Sequence, residues 1–263
     1  MAKWMWSVGV MVVIGMVVSV SGHGDVKDPP SRGLVAGYHT PWGVNCGGRT
    51  TQIANGGKCG PCGDDITQSQ PRPFEEGGTY YNGAAARKQY DSGDTIPVVV
   101  RITANHLGFF DFKLCPSANK TRRTTELEQC LDQYPLDIID DVAGTRGKKW
   151  PLAGNVMGDI NLKIVLPTGV TCDHCILRWD WIGGNNCCGA PQEEFRNCMD
   201  IEIIGDSNLT PAPTPAHTQA PTPAPTLAPI LTSCPSQTVL GCTPVPPLPS
   251  IDCLKDWCTN RLQ

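Results

Sequence analysis

The distribution of fourteen cysteines constrains this chain of 263 residues more than any other feature. Ten of them lie between Cys46 and Cys198, and four lie between Cys234 and Cys258. In a chain bound for an oxidising compartment, an even number of cysteines indicates disulfides rather than free thiols. Because each group is even, we predict two separately cross-linked units. The spacing does not tell which cysteines pair.

The first 22 residues have the layout of a secretory signal peptide, which would direct the chain to such a compartment. One early cation, Lys3, precedes an apolar run over residues 8–20, and Val20 and Gly22 stand where a signal peptidase reads small residues. The run is too short and too weakly flanked to span a membrane. We expect cleavage after Gly22, a secreted mature protein, and His23 as its first residue.

The charge balance excludes one class of partner. The formal net charge is −4 and the sequence pI is near 5.7, so no basic surface for a polyanion is indicated. We therefore expect no nucleic-acid partner. No second apolar segment is long enough to cross a bilayer, so we also expect no membrane partner and a soluble monomer.

Five segments have the alternation of apolar and polar residues that is typical of β-strands: residues 96–104, 108–114, 159–166, 175–182 and 198–204. Strands at this spacing without helical repeats predict an all-β fold, an antiparallel β-sandwich. Residues 23–93 are dense in Gly, Pro, Asn and Cys, which predicts long ordered loops held by disulfides, with short helical turns at most. Residues 121–131 fit either a short helix or a loop.

After Gly205 the composition changes, so we place the end of the main domain, residues 23–205, at this point. Residues 206–232 repeat Thr, Pro and Ala, which predicts an extended linker that could carry O-glycans. Residues 233–263 are too few to build a core, so two disulfides would have to hold this tail, either as a small binding module or as an appendage. Asn119 and Asn208 start N-glycosylation motifs, a hypothesis of surface loops.

Two C-x-x-C motifs admit three interpretations. Cys59 and Cys62 enclose Gly-Pro, as in thioredoxin, and Cys172 and Cys175 form the second motif. A thioredoxin site needs a strand before the first cysteine and a helix that starts at it, and neither pattern is present here. A zinc site is compatible with the spacing. The oxidising compartment favours structural disulfides.

Two of the five histidines are candidates for chemistry. An N-terminal His23 would offer two nitrogens in chelating reach, its α-amine and its imidazole Nδ1, and His106 directly follows a clear strand. Taken alone, His23 fits a chance cleavage product and His106 fits a solvated turn histidine. Glu193 and Phe195 stand at the entrance to the last strand, where Phe195 would ordinarily be a core aromatic.

Seven segments between residues 23 and 204 together resemble a known family. They are HGDVKDPPSRG, NCGG, NGGKCGPCGD, PRPFEEGGTY, ITANHLGFFDFKLCP, LPTGVTCDHCILRWDWIGGN and PQEEFRNCMDI, in that order. Their order and spacing resemble the copper-dependent lytic polysaccharide monooxygenases, most closely auxiliary activity family 15. The resemblance implies an immunoglobulin- or fibronectin-like antiparallel β-sandwich with long disulfide-pinned loops and a flat face that carries one copper ion.

The resemblance also implies the ligands of that ion, an arrangement called a histidine brace. It would comprise the α-amine and Nδ1 of His23 and Nε2 of His106. Phe195 would take the axial position, Ala104 would pack beside it, and Glu193 would lie near the distal position. Three nitrogen ligands suit copper, for which the affinity of first-row divalent metals peaks.

The implied activity is a secreted monooxygenase that cleaves β-1,4-linked polysaccharide, cellulose or chitin, by hydroxylating a carbon at the glycosidic bond. It would need an external electron donor and O₂ or H₂O₂ as co-substrates. Which polymer is cleaved, and whether C1 or C4 is oxidised, stays open. Tyr38, Trp42 and Phe74 lie in loops of the N-terminal half and either stack on sugar rings or cover the core.

Three other functions compete with this one. The first is a secreted sandwich that binds carbohydrate or copper without turnover, and the second is a disulfide-rich wall or adhesion protein. The third is glycoside hydrolysis by paired carboxylates, for which the chain offers Asp64/Asp65, Glu75/Glu76 and Glu193/Glu194. These pairs look like charges on loops, so we do not favour hydrolysis.

Overall fold

The structure is a computed structural model, and it describes residues 23–81, 87–116, 124–184 and 191–205. The predicted leader (1–22), linker (206–232) and tail (233–263) lie outside the described residues, and so do the glycosylation motifs at Asn119 and Asn208. Within the described residues, no helix is both long enough and apolar enough to span a membrane.

The described chain forms two five-stranded sheets that face each other. The strands are β1 (His23–Asp28), β2 (Lys88–Asp91), β3 (Thr95–Ala104), β4 (Phe109–Pro116), β5 (Asp137–Asp140), β6 (Thr145–Gly147), β7 (Lys149–Pro151), β8 (Gly158–Val165), β9 (Cys172–Ile182) and β10 (Glu194–Ile204). One sheet has the order β1-β3-β8-β5-β6, and the other has the order β2-β10-β9-β4-β7. The described strand pairs are antiparallel except β2 and β10, which are parallel. The prediction of an all-β sandwich is confirmed.

The core between the sheets consists of the residues whose alternation predicted the strands. Val98, Val100 and Ile102 of β3 are almost completely buried, as are Trp179 and Trp181 of β9. Both faces of β9 are buried because loops and a helix cover the outer face of its sheet. The predicted strand faces are therefore correct, and covering of the outer face adds a second apolar layer.

This second layer, called here the outer cluster, lies between the N-terminal loops and the sheet that contains β9 and β10. The loop segments contain three short helical elements: α1 (Arg32–Val35), the 3₁₀ helix Pro41–Gly43 and α2 (Arg49–Ala54). The segment predicted as helix or loop forms the helix α3 (Thr124–Gln133). The outer cluster contains Val44, Cys62, Phe74, Cys115, Leu127, Cys130, Leu131, Ile176 and Cys198. Its aromatic residue, Phe74, comes from a loop, and so do Tyr38 and Tyr80, which pack against the cluster.

Four disulfides are formed by the described residues: Cys46–Cys59, Cys62–Cys198, Cys115–Cys130 and Cys172–Cys175. Cys59 and Cys62 therefore have different partners, which rules out a thioredoxin-like pair at this motif. All four cysteines of the two C-x-x-C motifs are oxidised, so they are not zinc ligands. Cys187 and Cys188 lie outside the described residues.

Candidate copper site

The register of β1 against β3 brings the two candidate histidines to one edge of the sandwich. His23 pairs with Ala104, and His106 follows two residues later in the turn that leaves β3. The hydroxyl of Thr103 donates to the His23 carbonyl oxygen at 3.3 Å. Gly24 lets β1 lie this close, because a Cβ there would be 2.8 Å from Cδ1 of Ile102. Both histidines are thus held by one pair of neighbouring strands.

The turn over residues 105–108 carries the chain from one sheet to the other and fixes the backbone of His106. Gly108 has φ +90° and no room for a side chain, since a Cβ would be 1.9 Å from the Ile182 carbonyl oxygen. The Trp181 indole N–H donates to the Leu107 carbonyl at 2.7 Å, and Gly184 N–H donates to the His106 carbonyl at 2.7 Å. The position of His106 is consequently set by both sheets.

A carboxylate faces one nitrogen of the His106 ring. The side chain is buried, with 4% of His106 exposed, and its Nδ1 lies 3.2 Å from Oε2 of Glu193, which is 6% exposed. The other oxygen of Glu193, Oε1, accepts from the Asn45 amide at 2.8 Å. A histidine that binds a metal commonly has a carboxylate at its second ring nitrogen, which fixes the tautomer and the ring orientation. This arrangement fits His106 as a ligand through Nε2.

An apolar wall closes the next side of the site. Phe195 is fully buried and stacks on Trp181, with ring centroids 4.7 Å apart and planes 25° from parallel. The His106 ring meets Phe195 edge-on, with centroids 6.1 Å apart. Cross-strand pairing of Phe195 with Trp181 holds this arrangement. The position predicted as axial therefore presents an aromatic ring without a hydroxyl group.

Trp42 lies in the 3₁₀ helix that packs beside His23. A Cβ on Gly43, its neighbour in the 3₁₀ helix, would be 3.9 Å from Cδ2 of the His23 ring, and the guanidinium of Arg101 lies 5.7 Å from the centre of the Trp42 ring. Arg101 also binds both carboxylate oxygens of the buried Asp25 at 3.0 Å each. Burial raises the pKa of Asp25, and Arg101 offsets part of this rise.

The structure brings some of the predicted residues together and not others. His23, His106, Glu193, Phe195 and Trp42 lie around this edge. The sugar-stacking prediction for Phe74 is wrong, because Phe74 is 9% exposed in the outer cluster, where it stacks on Tyr80 with centroids 5.0 Å apart. Tyr38 is half-buried and contacts Phe74 edge-on at 5.2 Å.

Three side chains that help to position this region were not predicted from the sequence. Asn45 bonds to Glu193, and the buried Gln52 holds the Asn45 loop. The Asn105 amide donates to the carbonyls of Val156 and Gly154, so it ties the loop before β8 to the His106 turn. Amides of this kind have no diagnostic spacing, and their contacts are long-range in sequence.

The other candidate chemistries find no support in the described residues. In the described parts of the chain, no group of three or more His, Cys, Asp or Glu side chains could hold a metal ion. A brace needs two histidine side chains, since its third ligand is the main-chain amine. The carboxylates considered for hydrolysis have separate partners: Asp64 accepts from the Phe74 N–H, Glu75 pairs with Arg72, and Glu194 pairs with Arg196.

Comparison with known proteins identifies the family. A family model described as "Lytic polysaccharide mono-oxygenase, cellulose-degrading" matches residues 23–201. The chain belongs to the lytic polysaccharide monooxygenases. It is accordingly a copper-dependent oxidoreductase that acts on polysaccharide, as the sequence motifs predicted.

One solved structure supports this assignment, and two others have lower similarity. The chain is 39% identical to the AA15 enzyme of Thermobia domestica in its Cu(I) state, covering 69% of this chain and 98% of that chain with a TM-score of 0.60. A chitin-binding domain from Burkholderia pseudomallei is 13% identical, with coverage of 70% and 100% and a TM-score of 0.43. An enzyme important for chitin utilisation in Cellvibrio japonicus is 14% identical, with coverage of 68% and 99% and a TM-score of 0.35. No curated protein matches the sequence significantly.

Proposed function

We propose that the mature protein begins at His23 and binds one copper ion through the His23 α-amine, His23 Nδ1 and His106 Nε2. The observation that carries this proposal is the position of Glu193 against Nδ1 of His106, which leaves Nε2 as the metal-binding nitrogen. The pairing of His23 with Ala104 adds the second histidine at the same edge. In the uncleaved chain the His23 nitrogen is an amide bonded to Gly22, so the site needs removal of residues 1–22.

The protein residues and the copper have separate tasks. Bound copper supplies the redox chemistry that hydroxylates a polysaccharide carbon, with electrons from an external donor and oxygen from O₂ or H₂O₂. Glu193 Oε2, 3.2 Å from Nδ1 of His106, would favour the tautomer that carries its proton on Nδ1 and leaves the lone pair of Nε2 to the metal. Glu193 would in addition be a hydrogen-bonding group for an oxygen co-substrate held there. The buried Phe195 and Trp181 would make the wall beside His106 apolar and exclude water from it.

The proposed substrate is an insoluble β-1,4-linked polysaccharide, cellulose or chitin. The description of the matching family model supports cellulose. Near the candidate site, Trp42 belongs to the 3₁₀ helix beside His23, and the exposed Val156 and Met157 belong to the loop that Asn105 holds. An indole ring is suited to stack on a sugar ring. Tyr38 is half-buried and stands shortly before Trp42 in the sequence. It is a second candidate for this contact.

We further propose that the enzyme is secreted and works as a monomer, without a nucleic-acid or membrane partner. The leader at residues 1–22 and the acidic net charge support this view. The linker at 206–232 would then separate the catalytic domain from the cysteine-rich tail at 233–263.

The test is product formation by the correctly processed protein. Copper-loaded enzyme is incubated with ascorbate and chitin or cellulose, and mass spectrometry detects oligosaccharides that carry one extra oxygen atom. We expect oxidised products from at least one polymer and none from His106→Ala, whereas His39→Ala, which removes an exposed loop histidine, retains activity. Undiminished copper affinity and product formation by His106→Ala would refute the brace.

A further inference from the structure

Glu193 is held at both ends of its carboxylate. Oε2 faces Nδ1 of His106 at 3.2 Å, and Oε1 accepts a hydrogen bond from the side-chain amide of Asn45 at 2.8 Å. A carboxylate on a flexible side chain can turn away from a histidine, whereas one that is fixed at its second oxygen cannot do so without breaking that bond. The orientation of Glu193 therefore depends on Asn45.

Asn45 is itself fixed to the strand that follows Glu193. The amide nitrogen of Gln52 donates to the main-chain carbonyl of Asn45 at 2.7 Å and to that of Glu194 at 3.1 Å. The Gln52 amide oxygen accepts from the Glu194 N–H at 3.0 Å. Gln52 is only 2% exposed, so water does not compete for these bonds. The buried side-chain amide of Gln52 thus fixes the position of the Asn45 loop relative to the segment that contains Glu193.

The covalent framework reinforces this arrangement. Cys46, the residue after Asn45, forms a disulfide with Cys59, and Arg196 N–H donates to the carbonyl of Val44, the residue before it. Asn45 is therefore anchored on both sides through the main chain, and its side chain is left to bind Glu193. A side-chain substitution at this position leaves the anchoring contacts in place, because none of them uses the side chain of Asn45.

We propose that Asn45 is a positioning residue for the copper ligand His106, acting through Glu193. The amide of Asn45 keeps the Glu193 carboxylate against Nδ1, and this contact keeps the imidazole in the tautomer and orientation that present Nε2 to the metal. This inference rests on the proposed brace, because it assigns His106 as a ligand. Loss of the group that contacts the ligand directly, here Glu193, typically reduces metal affinity or activity by about 10- to 100-fold, and loss of Asn45 should have an effect no larger than this.

The experiment compares Asn45→Ala with the near-isosteric Asn45→Asp, which removes the donor. The readouts on the processed protein are the Cu(II) electron paramagnetic resonance spectrum, copper affinity by calorimetry, and oxidised product by mass spectrometry. We expect an altered spectrum and a loss in copper affinity or turnover of up to about tenfold for both variants. Asn55→Ala is the matched control, since that amide bonds to the Thr51 carbonyl within the end of α2. It should behave as wild type.

A double-mutant cycle then tests whether Asn45 acts through Glu193. We expect Asn45→Ala to have no further effect in a Glu193→Ala background. The inference would be overturned if the losses caused by the two substitutions multiplied in the double variant. It would also be overturned if both Asn45 variants had wild-type spectra and copper affinities. If instead the His106→Ala variant had the same copper spectrum as the wild-type protein, the brace itself would be refuted. The two failures are therefore distinguishable.

Discussion

The disulfide Cys62–Cys198 should contribute more to stability than any of the shorter described cross-links. It joins residues separated by 136 positions, whereas Cys115–Cys130 joins residues separated by 15. In the chain-entropy treatment, a cross-link stabilises the fold by restricting the unfolded chain, with a logarithmic dependence on loop length. The loss is about 5 kcal/mol for the long loop and about 3 kcal/mol for the short one at 25 °C. Two of the described disulfides lie inside the long loop, but they shorten its path only slightly.

The double variants Cys62→Ala/Cys198→Ala and Cys115→Ala/Cys130→Ala form a matched pair for this prediction. All four cysteines are buried, so replacing them leaves cavities of similar size. Urea unfolding, followed by the fluorescence of the buried Trp179 and Trp181, measures the free energy of unfolding. We expect a difference of about 2 kcal/mol between the variants, which is roughly thirtyfold in the folding equilibrium. Equal losses, or a larger loss for the short loop, would refute the entropic reasoning.

Two further predictions concern the substrate face and the response to acid. Trp42→Ala should weaken adsorption to insoluble cellulose or chitin while copper affinity stays constant. Adsorption isotherms measure this effect, with Val142→Ala at an exposed turn as the control. Unchanged adsorption would show that Trp42 does not contact the substrate. Burial raises the pKa of Asp200, but the charge and hydrogen bonds of Arg32, with a contribution from His174, outweigh it and lower the pKa to about 2. The stability from this shift, about 2 kcal/mol, is complete above pH 4 and is lost as the pH falls towards 2. Urea midpoints between pH 2 and 5 should therefore decline less steeply in Asp200→Asn than in wild type, and parallel declines would contradict the assignment.

The long strands could be predicted from the sequence, and the short or edge strands could not. β3 and β8 alternate apolar and polar residues because one face meets the core, and the alternation is visible in the sequence. β1 reads HGDVKD, with glycine at an inward position and charges at outward ones, so it lacks that signal. Its strand conformation comes from pairing with β3. β2 pairs in parallel with β10, a contact between segments more than a hundred residues apart.

The two histidines could be proposed as ligands because each stands at a chain position with a chemical meaning, one after the proposed cleavage site and one after a strand. Phe74 could not be assigned correctly, since an aromatic residue in a loop rich in Gly and Pro has no periodicity to indicate burial. The loops in this protein build the outer cluster, and Phe74 belongs to it. Asn45 was missed for a related reason. Its partner, Glu193, is 148 residues away, and no pattern in the neighbouring sequence indicates the contact.

The absence of any spacer between the proposed cleavage point and β1 has a practical consequence for producing the protein. β1 starts at His23 itself, and His23 is already paired with Ala104. A single leftover residue, such as an initiator methionine or the remnant of a purification tag, would convert the α-amine of His23 into an amide. It would also extend the chain beyond the first residue of β1. Preparations with ragged ends would consequently be mixtures of competent and incompetent molecules. Affinity tags therefore belong at the C-terminal end, and intact-mass analysis of the first residue should precede any measurement of specific activity.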